Sequence, residues 1–280
     1  MPKPAHNPGR AVSMRFSAAA GTYHRRAKIQ RRVAAELLAL LAEKSAGARA
    51  RFAPARILEI GCGTGVLTQM LAKAFPRAAV DAVDASAAMI LKARKRLAVN
   101  RRIRWIAADA RRLPAADKYP LIASSCALHW IRPLAGIIKR LGAMLEPGGM
   151  LAMAVMTRGT FMELNASRRR VAPLKKSRVV LPAQYEIINA AARAGLRLRM
   201  AKNARMRETF SSPEQLLKLL HDQGLTGGNA PDRNHALTRS ELLRLAEDYR
   251  RRYRAGRGIY ATYRVFYGIA QKKFNHSETQ

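Results

Sequence analysis

Short apolar runs and longer amphipathic stretches alternate along the first 160 or so residues. Five runs, at 55–60, 78–84, 103–109, 121–131 and 150–157, have the composition of buried strands. Between them, 65–75, 86–99 and 134–145 place apolar residues at helical spacing. Gly61, Pro76, Pro133 and Pro147-Gly148-Gly149 punctuate the change from one period to the other. Ahead of the first run, 17–44 reads as a helix with interleaved basic residues, and 1–12 as an arm. Strand–helix alternation with short connections predicts a doubly wound, mostly parallel α/β sheet with helices on both faces. Ligands in such sheets sit at the carboxyl ends of the strands. The loops after Ile60, Asp84, Asp109 and Ser125 are therefore expected to surround one site.

The chain changes character after Thr157. Helical stretches at 160–170 and 183–194 flank a basic, proline-containing loop, and 196–208 reads as a strand. Ser212 with Pro213 opens another helix, and Thr238 with Glu241 forms a capping box ahead of a helix at 237–253. A Gly/Asn/Pro loop at 224–236 separates these two helices, and 261–271 alternates as a last strand. The expected organisation is an arm at 1–15, an N-terminal helix with the alternating strand–helix core at 16–157, and cap helices with the last strands at 158–280.

Charge is the unusual part of the composition. Lys and Arg number 52 against 18 Asp and Glu, a formal net charge of +34. With 49% apolar residues the chain still has the means to bury a core. Basic clusters recur at 25–32, 92–104, 168–178, 199–207 and 250–257, interleaved with apolar residues rather than gathered in one tail. A surface this positive draws polyanions and acidic proteins. Nothing matches a nucleic-acid module, so no specific nucleic acid is expected. No apolar run approaches the roughly 18 residues of a membrane span, and none is expected. The N-terminus has no apolar signal core, which makes the cytoplasm the default location. Two cysteines, Cys62 and Cys126, exclude a disulfide framework and a four-cysteine zinc site, and no metal site is expected. Both cysteines read as packed residues.

The sharpest motif is Glu59-Ile60-Gly61-Cys62-Gly63-Thr64-Gly65 between a strand and a helix. Glycines there let the backbone turn tightly and lie against a ligand. Asp84 ends the next strand about 20 residues on, where a ribose diol needs a carboxylate, and Asp109 ends the third. The spacing is G-x-G-x-G, which speaks against a dinucleotide fingerprint, and no Gly-Lys-Ser/Thr follows to make a phosphate loop. The pattern resembles the class I S-adenosylmethionine-dependent methyltransferases. That resemblance implies that Glu59, Gly61, Gly63 and Gly65 form the turn under the methionine part of the cofactor. It implies that Asp84 and Ala85 take the ribose, with Ser86 and Met89 beside it. Asp109 and Ala110 would hold the adenine, and Ser125 would close the site.

The flanks narrow the resemblance. FSAAAGTYHRRAKIQRRVAAELL (16–38), ALHW (127–130), TRGTFMEL (157–164), LLKLLHDQG (216–224), LTRSELLRL (237–245) and ATYRVFYGIA (261–270) are similar to the malonyl-acyl-carrier-protein O-methyltransferases of biotin synthesis. The family implies methyl transfer to a malonyl carboxylate on an acidic acyl-carrier protein or coenzyme A. Tyr119-Pro120 and Ser124-Ser125 depart from its usual pattern. Ser-Ser-x-x-Leu-His-Trp also resembles an arginine-modifying assembly factor of respiratory complex I on the same fold, and an RNA methyltransferase is a third reading. Tyr23, His129 and Arg158 are the candidate catalytic groups: Tyr23 as a lid, His129 on the acceptor side, and Arg158 as a fork for a carboxylate. The clusters at 168–178 and 250–257 are the expected carrier-docking surface.

Overall fold

The computed structural model describes residues 14, 16–18, 20, 21, 24, 26–46, 52–97, 100–175, 180–223 and 236–274. Tyr23, the expected arm at 1–12 and nearly all of the expected loop at 224–236 lie outside them. The core alternates β1 (Arg56–Ile60), α2 (Val66–Ala74), β2 (Ala79–Asp84), α3 (Ala87–Arg96), β3 (Ile103–Ala107), β4 (Tyr119–Ser125), α4 (Leu134–Met144) and β5 (Leu145–Met156), with α1 (Lys28–Ala46) ahead of it. After it come α5 (Met162–Val171), α6 (Gln184–Arg193), β6 (Leu196–Phe210), α7 (Pro213–Asp222), α8 (Arg239–Arg252), the two-residue β7 (Arg254–Ala255) and β8 (Gly258–Lys272).

The strands form one sheet in the order β3-β2-β1-β4-β5-β8-β6, with β7 paired to β8. The first five are parallel, and β8 runs antiparallel to both β5 and β6. The fold is thus the doubly wound, mostly parallel α/β class that the alternation implies. One face is covered by α1, α2 and α3. In α1 the buried Val33, Ala34, Leu37, Leu40 and Leu41 recur at the three- and four-residue spacing of a helix stripe. Each of the larger ones contributes about 1.5–3 kcal/mol by leaving water. The other face is covered by α4 and α6, through residues such as Ile137, Ile138, Leu141 and Ile187.

Two boundaries differ from the sequence expectation. The run at 121–131 is not one strand: β4 ends at Ser125, Cys126 has left-handed backbone at φ 56°, and Leu128–Trp130 make a 3₁₀ turn. The apolar residues past Ser125 are buried by this turn rather than by the sheet, which periodicity alone does not distinguish. The last two strands are also longer than expected. Residues 205–210 of β6 and 259–264 of β8 continue as a two-stranded ribbon past Met156, where β5 ends.

Both departures from the family pattern have local partners. The Tyr119 hydroxyl donates to Asp81 at 2.8 Å, a carboxylate also held by Arg56 and Arg104. Ser124 Oγ donates to the Ile60 carbonyl at 2.9 Å, tying β4 to the end of β1.

The ribbon carries α5, α7 and α8. Phe210, Leu216, Leu220, Tyr249, Ile259 and Ala261 make a separate apolar cluster there. The buried Glu163 of α5 accepts from the Thr262 amide and hydroxyl at 3.0 and 2.5 Å. Ser212 caps α7 by accepting from Gln215 N–H, and Thr238 and Glu241 form the reciprocal box at α8.

Candidate active site

The carboxyl ends of β1 to β4 open on a cleft lined by Phe16, Ile60, Gly61, Gly63, Val83, Asp84, Ala85, Met89, Ala108, Asp109, Ala110, Arg111, Ser125, Cys126, Ala127, Trp130, Ile131 and Arg132. The glycine turn forms one wall. Gly61, Gly63 and Gly65 all have positive φ, at 73°, 54° and 80°. A Cβ on Gly61 would lie 2.2 Å from the Ala127 Cβ, so the turn and the loop after β4 approach too closely for any side chain.

Asp84 is the hub of the cleft. Its Oδ2 accepts from the Gly63 amide at 2.9 Å and its Oδ1 from the Ser86 amide at 2.8 Å. Burial raises its pKa, and the two amides pull it back toward the ionised form. Ser86 in turn accepts from Met89 N–H at 3.2 Å, which starts α3 beside the cleft. Asp109 is gripped by the Arg111 guanidinium at 2.5–3.0 Å, which holds its carboxyl below the usual carboxylate range.

Eight of the ten expected cofactor residues line this cleft: Gly61, Gly63, Asp84, Ala85, Met89, Asp109, Ala110 and Ser125. Glu59 and Gly65 do not. Gly65 faces α3, where a Cβ would meet Leu97, Ala93 and Trp105 at 3.1–3.4 Å, so it is a packing glycine. Glu59 is buried behind the turn, and its Oε2 has no hydrogen-bond partner among the described residues. Burial, with Asp84 adding negative charge nearby, pushes its pKa to about 8.

The candidate catalytic groups fare differently. His129 is buried outside the cleft lining, and its Nδ1 accepts from the Met156 amide at 3.4 Å. Burial lowers its pKa to about 3, so the ring is neutral and serves as a core acceptor rather than an acid or base. Arg158 is exposed beyond β5, off the cleft lining; its amide donates to the Pro182 carbonyl at 2.8 Å. Tyr23 lies outside the described residues, but its neighbours reach the site. Ser17 Oγ is 2.8 Å from Ser86 Oγ, and His24 Nδ1 is 3.2 Å from Thr64 Oγ1. Phe16 meets Trp130 edge-on at 6.0 Å, and both line the cleft.

Three features escaped the sequence reading. Arg96 of α3 reaches over the glycine turn, donating to the Thr64 carbonyl at 3.0 Å, the Gly65 carbonyl at 2.6 Å and Gln69 Oε1 at 2.8 Å. Arg111 and Arg132 line the cleft. No local signal separates these three arginines from the many others. Cys126, read as packed, also lines the cleft, and burial raises its thiol to about 12, which removes it as a nucleophile.

Part of the charge in the basic clusters expected to dock a carrier is paired inside the cap. Arg170, Arg251 and Arg252 surround Asp248, Lys175 pairs with Glu241 at 2.7 Å, and Arg250 pairs with Glu214. These ion pairs join α5, α7 and α8. Among the described residues no helix is long and apolar enough to cross a membrane, and no group of His, Cys, Asp and Glu could hold a metal.

A turn of positive-φ glycines under a cleft, with one carboxylate ending β2 and another ending β3, fits an adenosyl cofactor with a cationic sulfonium. The fold and residues 57–149, which match the family model described as a methyltransferase domain, define an S-adenosylmethionine-dependent methyltransferase. A crystal structure assigned as a methyltransferase from Bacillus halodurans shares the fold, with TM-score 0.58 and 15% identity over 86% of this chain and 98% of that one. The similarity in sequence extends through the cap. A malonyl-[acyl-carrier protein] O-methyltransferase of Halorhodospira halophila is 30% identical across 93% of this chain and 87% of its own. A second, from Ilyobacter polytropus, is 28% identical across 94% and 98%. The chain belongs to the malonyl-[acyl-carrier protein] O-methyltransferase family.

Proposed function

We propose that the protein methylates the free carboxylate of a malonyl group carried on acyl-carrier protein, an early step toward the pimeloyl part of biotin. The observation that carries this reading is the similarity of nearly the whole chain, cap included, to relatives named for that reaction. S-adenosylmethionine, when bound, supplies a methyl group on an electrophilic sulfonium.

The protein's own tasks are then few. A malonyl carboxylate is ionised at neutral pH, so no strong general base is needed. That agrees with a cleft whose histidine neighbour is buried as a structural acceptor. Asp84 accepts the ribose hydroxyls with the lone pairs left after its two amide bonds, and Ala85 and Met89 pack beside the ribose. Asp109 and Ala110 hold the adenine, and Gly61 and Gly63 lie under the methionine part. Glu59 and Gly65 act behind the turn, by shaping it. Phe16 and Trp130 exclude water from the cleft, and desolvation makes the acceptor carboxylate more reactive. Tyr23 is the lid candidate, and Arg132, which lines the cleft, takes over from His129 as the group offered to the acceptor anion.

The test is to incubate the enzyme with labelled S-adenosylmethionine and, in separate reactions, malonyl-carrier protein, bulk RNA and a protein extract. Label on the malonyl group, as an ester cleaved by mild base, is expected. Label on RNA or on protein arginine instead would reject the reading. Rescue of a biotin auxotroph lacking this step checks it in the cell.

A further inference from the structure

Many exposed arginines among the described residues have no acidic partner, and four of them cluster at the ligand edge of the sheet. Among the described residues no carboxylate lies within ion-pair distance of Arg158, Arg205, Arg207 or Arg264, and all four are exposed. They share one place: the β6–β8 ribbon and the loop after β5, at the ligand edge of the sheet.

Register puts them on one face. Past the bulge at Leu198/Met200, Ala204 and Met206 turn toward the α1 side of the core, as do Tyr263 and Val265 of β8. Side chains alternate along a strand, so Arg205, Arg207 and Arg264 turn the other way. Arg205 and Arg264 are directly opposite in the antiparallel register. Like charges so placed repel.

The strip is bonded to the loop after β5. The Arg264 amide donates to Thr160 Oγ1 at 3.0 Å, and its carbonyl accepts from Thr157 N–H and Thr160 Oγ1 at 2.9 and 3.1 Å. Its side chain lies over Gly159, where a Cβ would come within 2.7 Å of the Arg264 Cδ. Arg158 is the next residue, bonded through its amide to Pro182. Two residues back, the Val180 carbonyl accepts from Arg132, which lines the cleft. Hydrogen bonds thus link the ribbon to the 157–160 loop, that loop to Pro182, and Val180 to Arg132 at the cleft.

We infer that this face, Arg158–Arg264–Arg205–Arg207, is where an acidic carrier protein docks, with its phosphodiester-linked thioester arm led past Arg132 into the cleft. The inference rests on the proposed carrier substrate and names the surface that receives it. It is offered in place of the 168–178 and 250–257 clusters, where Arg170, Lys175 and Arg250 are paired with Asp248, Glu241 and Glu214. An acidic helix on this face relieves the Arg205–Arg264 repulsion without removing any internal ion pair.

The test measures binding apart from turnover. Malonyl-carrier protein is titrated onto wild type, Arg205→Glu/Arg264→Glu and a remote control, Lys92→Glu on α3, each with S-adenosylhomocysteine bound and at several salt concentrations. Turnover with malonyl-coenzyme A is measured in parallel. The double reversal is expected to weaken carrier binding roughly ten-fold or more and flatten its salt dependence. It should leave S-adenosylhomocysteine affinity and the coenzyme A KM unchanged, and Lys92→Glu should do little. Single Arg205→Gln and Arg264→Gln variants give the same direction at smaller size and keep the test readable if the reversal lowers Tm. Unchanged carrier binding on reversal, an equal loss from Lys92→Glu, or no carrier binding by wild type overturns the inference. Carrier binding that depends on this face without any methyl transfer to the malonyl group overturns the proposed reaction and leaves the docking face standing.

Discussion

The Gly63 amide donates to Asp84 Oδ2 at 2.9 Å, so the turn after β1 and the acid ending β2 are one unit. A second amide, from Ser86, completes the grip on the carboxylate. The bond sets both where the glycine turn lies and which lone pairs of Asp84 face the cleft.

Asp84→Ala removes that unit. Two amides lose their acceptor and a ligand diol loses its partner, so cofactor affinity is expected to fall by about 1–3 kcal/mol, or 5- to 150-fold. Calorimetry with S-adenosylhomocysteine reads this directly. Asp84→Asn should fall between the two, because one face of the amide still accepts.

Arg96 is predicted to matter without touching ligand. Arg96→Met keeps the stem but removes three hydrogen bonds over the turn, two of them to the Thr64 and Gly65 carbonyls. Cofactor affinity should drop by about 1–3 kcal/mol, and Tm should fall with it. Arg96→Lys should recover only part, since an ammonium cannot span both carbonyls as the planar fork does.

Two buried groups oppose each other in pH. Glu59 titrates at about 8 in the folded protein against 4.5 ordinarily, because burial favours its neutral form. Its contribution is full below pH 4.5 and is lost as pH rises to 8. His129 titrates at about 3 against 6.5, so its contribution is full above 6.5 and is lost as pH falls toward 3. Each acts with a limiting slope of about 1.4 kcal/mol per pH unit. Glu59→Gln should therefore flatten the loss of stability between pH 6.5 and 8, and His129→Asn should flatten the acid side. Denaturant melts across pH check both. His129→Asn should retain methyl transfer, whereas a catalytic histidine would not.

Asp248 should hold the cap together. It accepts from Arg170 at 2.6 Å and from Arg252 at 3.0 Å, and these bonds keep its carboxyl far below the usual range. Asp248→Asn leaves those cations crowded without their anion, so Tm should fall and protease should reach α5 and α8 first. Cofactor affinity should stay the same, because the cleft shares no residue with this cluster.

The core could be read from the sequence because its signals are local. Apolar runs of strand length, helical stripes and glycine punctuation lie within a few residues of each other, and the α/β order follows from connection length. Gly61, Gly63, Asp84 and Asp109 were legible for the same reason: each sits at a strand end, and strand ends in a parallel sheet converge. Cap boundaries set by Ser212 and by the Thr238–Glu241 box were equally local. Tertiary structure decided what charge and burial do. Arg96, Arg132 and Arg264 look like any other arginine in the chain, and only their distance to Thr64, the cleft and Gly159 distinguishes them. His129 became a core acceptor because the chain reverses at Cys126 and tucks the Leu128–Trp130 turn under Met156. Arg170 and Arg205 belong to equally basic stretches, yet one meets Asp248 from 78 residues away and the other faces Arg264 across a strand pair. Sequence determines which groups are charged; the pairing that neutralises some and leaves others free is a long-range contact, and no local period encodes it.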